Sequence, residues 1–141
     1  IAHEFTHGVS GYMRGGDIYM NHTGAINEGF SDIMGNVVEM SLGATTDTQW
    51  LIGEMSGRVL RSLSDPLLSS NPIELGGQYY APQVSPEEVD NEKNDRGGGH
   101  INASLLSQMS YKLYQYGMSC GLLVWVSLLR SPITMKFTRR S

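Results

Sequence analysis

The sequence predicts a mainly α-helical domain with long irregular loops. Three observations carry that expectation. Three segments, at 1–12, 23–43 and 101–116, read as helices, each followed closely by glycine. The connection over 44–100 is long and rich in Gly, Pro, Ser and Asn. The pentapeptide His3-Glu4-Phe5-Thr6-His7 is an H-E-x-x-H pattern, which carries its chemistry only on a helix.

On the first helix, positions four apart lie about 40° apart around the axis and roughly 6 Å along it. His3 and His7 can therefore hold one zinc ion from one face. Glu4 sits about 100° further round, beside the metal, where its carboxylate can hold a zinc-activated water. The alternative is a surface helix with two incidental histidines. The helix is expected to end near Gly11 or at Gly15-Gly16, with Asp17 to His22 as a short extended connection. Thr23 is an expected N-cap for the second helix, which stops at Gly43.

Within 44–100, a short helix is expected from Glu54 to Ser64, halted by Asp65-Pro66. The stretch from Pro86 to Asp95 is acidic and expected on the surface. Ile101 to Tyr116 reads as a third helix, with Leu105, Met109, Leu113 and Tyr116 along one stripe and Gly117 as its stop. A further apolar segment runs from about Leu122 to Arg130. The chain thus reads as one partial domain over 1–141: a zinc-site helix (1–12), a third-ligand helix (23–43), a connecting region (44–100), C-terminal helices (101–131) and a tail (132–141).

Composition excludes several classes. The 141 residues are 40% hydrophobic and 17% charged, which is ordinary for a globular chain and unlike wholesale disorder. Net charge is -4, and all 14 acidic residues lie at or before Asp95. Nothing resembles an aromatic-interleaved basic patch, so no nucleic-acid partner is expected. The apolar run Gly121 to Leu129 is too short to span a bilayer. The one cysteine, Cys120, cannot form an internal disulfide. The chain opens at Ile1, already inside the zinc-site helix, and reads as a fragment.

Catalytic zinc takes three protein ligands and keeps a position open for water. The longer H-E-x-x-H-x-x-G-x-x-H pattern is absent, because Ser10 and Met13 occupy the places it needs. Glu28 is the better source of a third ligand. Asp32 follows it by four, so the two carboxylates share a helix face. Asp32 can then accept the free ring N–H of a zinc-bound histidine and fix its tautomer. In isolation, an E-x-x-x-D pair is ordinary surface charge.

The blocks AHEFTHGVS, IYMNHTGAINEGFSDIMG, IGE, LRSLSDP and NDRGGGHIN, in this order and over residues 1 to about 117, resemble the helical catalytic lobe of thermolysin-like neutral metalloproteases, a gluzincin family. The gap between His7 and Glu28 is one residue longer than in thermolysin. The resemblance implies that His3, His7 and Glu28 bind zinc and that Glu4 is the general base. It also implies that His100 and Tyr19 stabilise the transition state, and that Asp95 orients His100. Arg61 is matched to an arginine that binds the substrate carbonyl, and Ile52 and Leu60 to hydrophobic walls of the specificity pocket. Taken alone, GGGH reads as a flexible linker and Tyr19, Ile52 and Leu60 as core.

The implied function is a zinc-dependent endopeptidase that cuts protein or peptide substrates on the amino side of bulky hydrophobic residues. An extracellular location is implied in the same way. So is a strand-rich N-terminal lobe of the same polypeptide, supplying the other half of the cleft. Glu39 and Glu54 match calcium ligands of the family, but Gln49 and Leu51 stand where further acids are expected; Asp47 is the nearest other acid. Two rivals remain: a non-catalytic zinc-binding fragment or decayed paralogue, and a gluzincin aminopeptidase. The second would need an acidic anchor for a substrate amine, and the GAINEGFSD and NDRGGGH blocks argue against it.

Overall fold

The computed structural model describes residues 1–15, 19–43 and 48–119. Three helices dominate: α1 (Ala2–Arg14), α2 (Asn21–Ser41) and α3 (Asp95–Ser119). A two-stranded antiparallel hairpin, β1 (Leu51–Ile52) and β2 (Arg61–Ser62), lies between α2 and α3, with Leu51 opposite Ser62 and Ile52 opposite Arg61. Short 3-10 turns occupy Glu54–Ser56, Pro66–Ser69 and Pro86–Glu88. The apolar segment expected from Leu122, the tail, Cys120 and Asp47 lie outside the described residues. No described helix is long and apolar enough to cross a membrane.

α1 runs to Arg14 and closes on Gly15 with φ 66, the left-handed conformation that glycine adopts without steric cost. α2 begins two residues before the expected position. Its N-cap is Met20 and has no side-chain cap; the Thr23 hydroxyl donates back to the Met20 carbonyl at 2.7 Å. Thr23 therefore lies one turn inside the helix. The start is set by Asn21, whose side-chain amide pairs with both the N–H and the carbonyl of Val84, at 2.9 and 2.8 Å.

The short helix expected at Glu54 to Ser64 does not form. Gly53 (φ 93) and Gly57 (φ 83) bracket a single 3-10 turn, and the chain then reverses. Leu60 N–H donates to the Ile52 carbonyl at 2.7 Å, and Leu63 N–H to the Trp50 carbonyl at 2.8 Å. Pairing with β1 overrides the helical pattern of a segment too short to be helical alone. Pro66 opens a 3-10 turn, with Asp65 accepting from the Leu67 N–H, rather than ending a helix.

α3 starts before the expected Ile101 and runs two residues past the expected stop at Gly117, to Ser119. Met109, Leu113 and Tyr116 are exposed, while Asn102, Ala103, Ser104 and Ser107 are buried. Small residues win the inner face because α2 and α3 approach closely: a Cβ on Gly29 would lie 2.9 Å from both the Ala103 carbonyl oxygen and the Leu106 Cβ. Trp50 packs edge-on to Tyr111 at 4.9 Å between centroids and lies 5.1 Å from Tyr114, fixing the hairpin on α3. Each such aromatic pair contributes about 0.5–1.5 kcal/mol beyond its buried area.

The interior is polar along α2. Its buried positions include Glu28, Ser31, Asp32 and Asn36, and His3 of α1 packs across Gly35. A helix that buries carboxylates must supply them with partners. Those partners form the site.

Candidate metal centre and catalytic cleft

Helical spacing and the packing of α1 on α2 bring His3, His7 and Glu28 together. His3 and His7 project from one face of α1, and their Nε2 atoms lie 2.9 Å apart. Glu28 comes from α2, with Oε2 at 3.3 Å from His3 Nε2 and Oε1 at 3.1 Å from His7 Nε2. Among the described residues this is the one group of three His, Cys, Asp or Glu side chains gathered closely enough to hold an ion. A tetrahedral zinc with bonds of about 2.0–2.1 Å keeps neighbouring ligand atoms about 3.3 Å apart. The three separations fall close to that value, and the donor set of two imidazoles and one carboxylate suits zinc.

Each of these three side chains is held from behind. His3 Nδ1 lies 3.0 Å from Asp32 Oδ1, an ion-pair contact whose angle falls short of a hydrogen bond. His7 Nδ1 meets the Asn27 side-chain oxygen and lies 3.2 Å from the Ser31 hydroxyl. Asp32 is fully buried and takes a two-point clamp from Arg61, with Nε and Nη2 each at 2.7 Å. Ser107 of α3 donates to the same carboxylate at 3.0 Å, and Arg61 Nη2 also reaches Glu28 Oε2 at 3.2 Å. One network thus joins α1, α2, β2 and α3.

Electrostatics follow from this packing. Burial alone would lower the affinity of His3 for a proton, but Asp32 and Glu28 outweigh it and lift His3 to about 9 in the metal-free protein. Burial alone would raise Glu28, yet hydrogen bonding to His3 and Tyr19 and the charges of His100 and Arg61 bring it down to about 2. Asp32 is likewise held below the carboxylate range against burial, by His3 and Arg61.

Tyr19 and His100 face the same carboxylate. The Tyr19 hydroxyl donates to Glu28 Oε1, and His100 Nε2 lies 3.4 Å from that atom. The two rings are 6.3 Å apart. Burial and the Glu28 hydrogen bond push the Tyr19 phenol far up, so it stays a donor. Asp95 contacts His100 twice: its Oδ1 lies 2.5 Å from His100 Nδ1, while Oδ2 accepts the backbone N–H groups of His100 and Ile101 at 2.7 and 2.9 Å. The Asp95 hydrogen bond raises His100, and His100 together with those N–H groups lowers Asp95 against burial.

The GGGH segment is not a flexible linker. Asp95, Arg96, Gly97 and Gly98 all have positive φ, at 50, 53, 77 and 82°. A Cβ on Gly97 would fall on the Asn21 side-chain oxygen, and one on Gly98 would meet the Asn102 amide and the Ala81 Cβ. Asn102 in turn pairs with both the N–H and the carbonyl of Ala81, at 3.0 and 2.8 Å. Two asparagine amides thus act as strand neighbours for the segment 81–84. They tie it to the helix starts beside Tyr19 and His100.

Glu4, Tyr19, Ile52, Leu60, Arg61 and His100 line one cleft of about 1400 Å³ with the three ligands. Asp95 stands behind His100 and borders a smaller cavity. Glu39 and Glu54 also line the large cleft; burial and then the Glu54 charge hold Glu39 above the usual carboxylate range. They form a pair of acids there, short of the six to eight oxygens that calcium takes. Sequence reasoning gave no role to Asn27, Ser31, Ser107, Asn21, Asn102 or Arg96. Asn27 lies within the GAINEGFSD block, 20 residues after His7, and only folding brings the two together.

This fold and site define a helical domain built around two histidines and a carboxylate gathered closely enough to hold a metal ion. Residues 17–128 match the family described as thermolysin metallopeptidase, alpha-helical domain. The match begins after the H-E-x-x-H helix, so the geometry of α1 is an independent observation. The chain is 35% identical over 130 residues to thermolysin of Alicyclobacillus acidocaldarius subsp. acidocaldarius and to bacillolysin of Bacillus caldolyticus, covering 88% of this chain and 21% of each relative. It is 36% identical over 113 residues to a zinc metalloproteinase of Renibacterium salmoninarum, covering 77% of this chain and 20% of that protein. The chain belongs to the thermolysin metallopeptidase family and spans about a fifth of the length of these relatives.

Proposed function

We propose that this chain carries the zinc centre and most of the catalytic residues of an endopeptidase that cuts on the amino side of bulky hydrophobic residues. The observation that carries the reading is convergence. Nitrogens of His3 and His7 and both oxygens of Glu28 lie within 3.3 Å of one another in the pairs described, and Tyr19 and His100 border the same carboxylate. A zinc ion held by these three residues supplies Lewis acidity, lowering the pKa of a water ligand to about 7.

The remaining roles belong to the chain. Glu4 takes the proton from the attacking water and passes it to the leaving amine. Tyr19 turns its O–H from Glu28 to the carbonyl oxygen as it gains charge, and His100 offers its Nε2–H to the same oxygen. Asp95 keeps His100 Nε2 pointed at that oxygen. Arg61 steadies Glu28 and Asp32, and its Nη1, which no described residue takes up, is free to donate to a substrate carbonyl. Ile52 and Leu60 form the apolar wall for the residue after the cut. The extracellular setting and the second lobe of the cleft belong to the same proposal and rest on family membership alone.

The test joins metal content to turnover. One zinc per chain, with hydrolysis of an N-terminally blocked peptide before a Leu or Phe, supports the reading. Stoichiometric zinc without hydrolysis, in this chain and in one extended at its N-terminus, favours a non-catalytic zinc-binding module. The short span of the chain against its relatives is what keeps that second reading in play.

A further inference from the structure

We infer that Arg96 is a specificity-determining residue, selecting substrates with an acidic side chain on the acyl side of the cut; this rests on the endopeptidase reading above. Arg96 lines the large cleft, and its guanidinium carbon stands 5.5 Å from the centroid of the Tyr19 ring. That places a cation next to one of the two donors proposed to grip the scissile carbonyl oxygen. The residue that owns this carbonyl is the one before the cut, so its side chain, or that of its predecessor, is the nearest part of a substrate to Arg96.

Charge bookkeeping in the cleft singles this position out. Two arginines line it, and the charge of Arg61 is paired with Asp32 and Glu28 through Nε and Nη2. Among the described residues no carboxylate lies within ion-pair distance of Arg96. Glu4, Glu39 and Glu54 line the same cleft and repel an acidic side chain elsewhere along it. Among the described residues, the guanidinium beside Tyr19 is the one arginine charge of the cleft left for an acidic side chain, Glu28 being paired with Arg61.

The backbone supports a selected role. Arg96 is a non-glycine residue at φ 53, in a run of left-handed residues where glycine would be unstrained. The run is pinned: Arg96 N–H donates to the Asp90 carbonyl at 3.1 Å, and Gly97 and Gly98 N–H donate to the Asn94 carbonyl at 2.9 and 3.0 Å. The arginine stem thus leaves a fixed point, and the ring of Tyr19 supports its planar cation. A guanidinium with no carboxylate partner among the described residues suits two-point recognition of a carboxylate.

The experiment uses blocked peptides identical except for Glu, Gln or Lys immediately before the cut. It compares the zinc-loaded chain with Arg96→Gln and Arg96→Glu. Two readouts are taken: kcat/KM, and equilibrium binding of uncleavable analogues by calorimetry. The unaltered chain is expected to favour Glu over Gln by about fivefold, the value of one partly exposed ion pair. Arg96→Gln should erase the ratio and Arg96→Glu should invert it towards Lys. A uniform loss for all three peptides would mean that Arg96 only supports Tyr19, and would overturn the inference. Charge-dependent binding without turnover would sink the endopeptidase reading while keeping Arg96 as an acid-selecting residue of a binding cleft. Turnover with equal rates and affinities would sink the inference alone, and neither turnover nor binding would sink both.

Discussion

Arg61 and Asp32 form a buried two-point ion pair, with Nε and Nη2 each 2.7 Å from a carboxylate oxygen. The pair lies directly behind the candidate metal site, since Asp32 also contacts His3 and Arg61 also contacts Glu28. It is the point where β2 and α2 are joined. Its removal tests the scaffold before any chemistry is considered.

Asp32→Ala leaves a buried guanidinium without its main partner, and costs about 3–5 kcal/mol of folding stability. Chemical denaturation of the metal-free chain measures this. A loss below about 1 kcal/mol would show that water reaches Arg61 and that the pair is not a structural joint.

Glu4→Gln should leave zinc stoichiometry unchanged, because Glu4 is not among the three gathered ligands. Hydrolysis should fall by about 10²–10⁴-fold, the range for loss of a general base. Metal analysis and peptidase assays on one preparation check both halves. Undiminished turnover would remove Glu4 from the mechanism.

Zinc binding should expel a proton from His3. With His3 raised to about 9 in the metal-free protein, its ring is protonated at pH 7 and cannot ligate. Glu28, at about 2, is already ionised there. Apparent zinc affinity should therefore climb about tenfold per pH unit from pH 7 and level off as pH passes about 9. Calorimetry at pH 7 in two buffers of different ionisation enthalpy counts the protons released. A count of zero would mean that the carboxylates do not hold His3 charged.

Gly97→Ala should destabilise the chain by about 2 kcal/mol or more, because it demands both a positive φ and the space of the Asn21 amide. Gly8→Ala is the contrast. It lies in α1 with nothing within 4 Å of an added Cβ, and should gain about 0.5–1 kcal/mol from helix propensity. Thermal and chemical unfolding of the two variants would show whether the left-handed turn is as rigid as its contacts suggest.

Much of this protein was legible in its sequence, for reasons of local geometry. The spacing of His3 and His7, and of Glu28 and Asp32, sets side chains on a helix face whatever the rest of the chain does. Helix existence was equally local, and Gly15 and Gly43 marked ends to within a residue or two. Family motifs supplied Tyr19, Asp95 and His100, and folding brings all three beside Glu28 or behind His100. Tertiary structure alone decided the rest. Residues 54–64 have a helical pattern but pair with β1, because ladder hydrogen bonds across a hairpin depend on a partner strand that periodicity does not see. The stripe of Met109, Leu113 and Tyr116 faces outward, because the closeness of α2 and α3 at Gly29 admits only small residues between them. The asparagine clamps on 81–84, the Arg61–Asp32 joint and the seat of Arg96 over Tyr19 depend on contacts between residues far apart in the chain, and such contacts leave no local pattern to read.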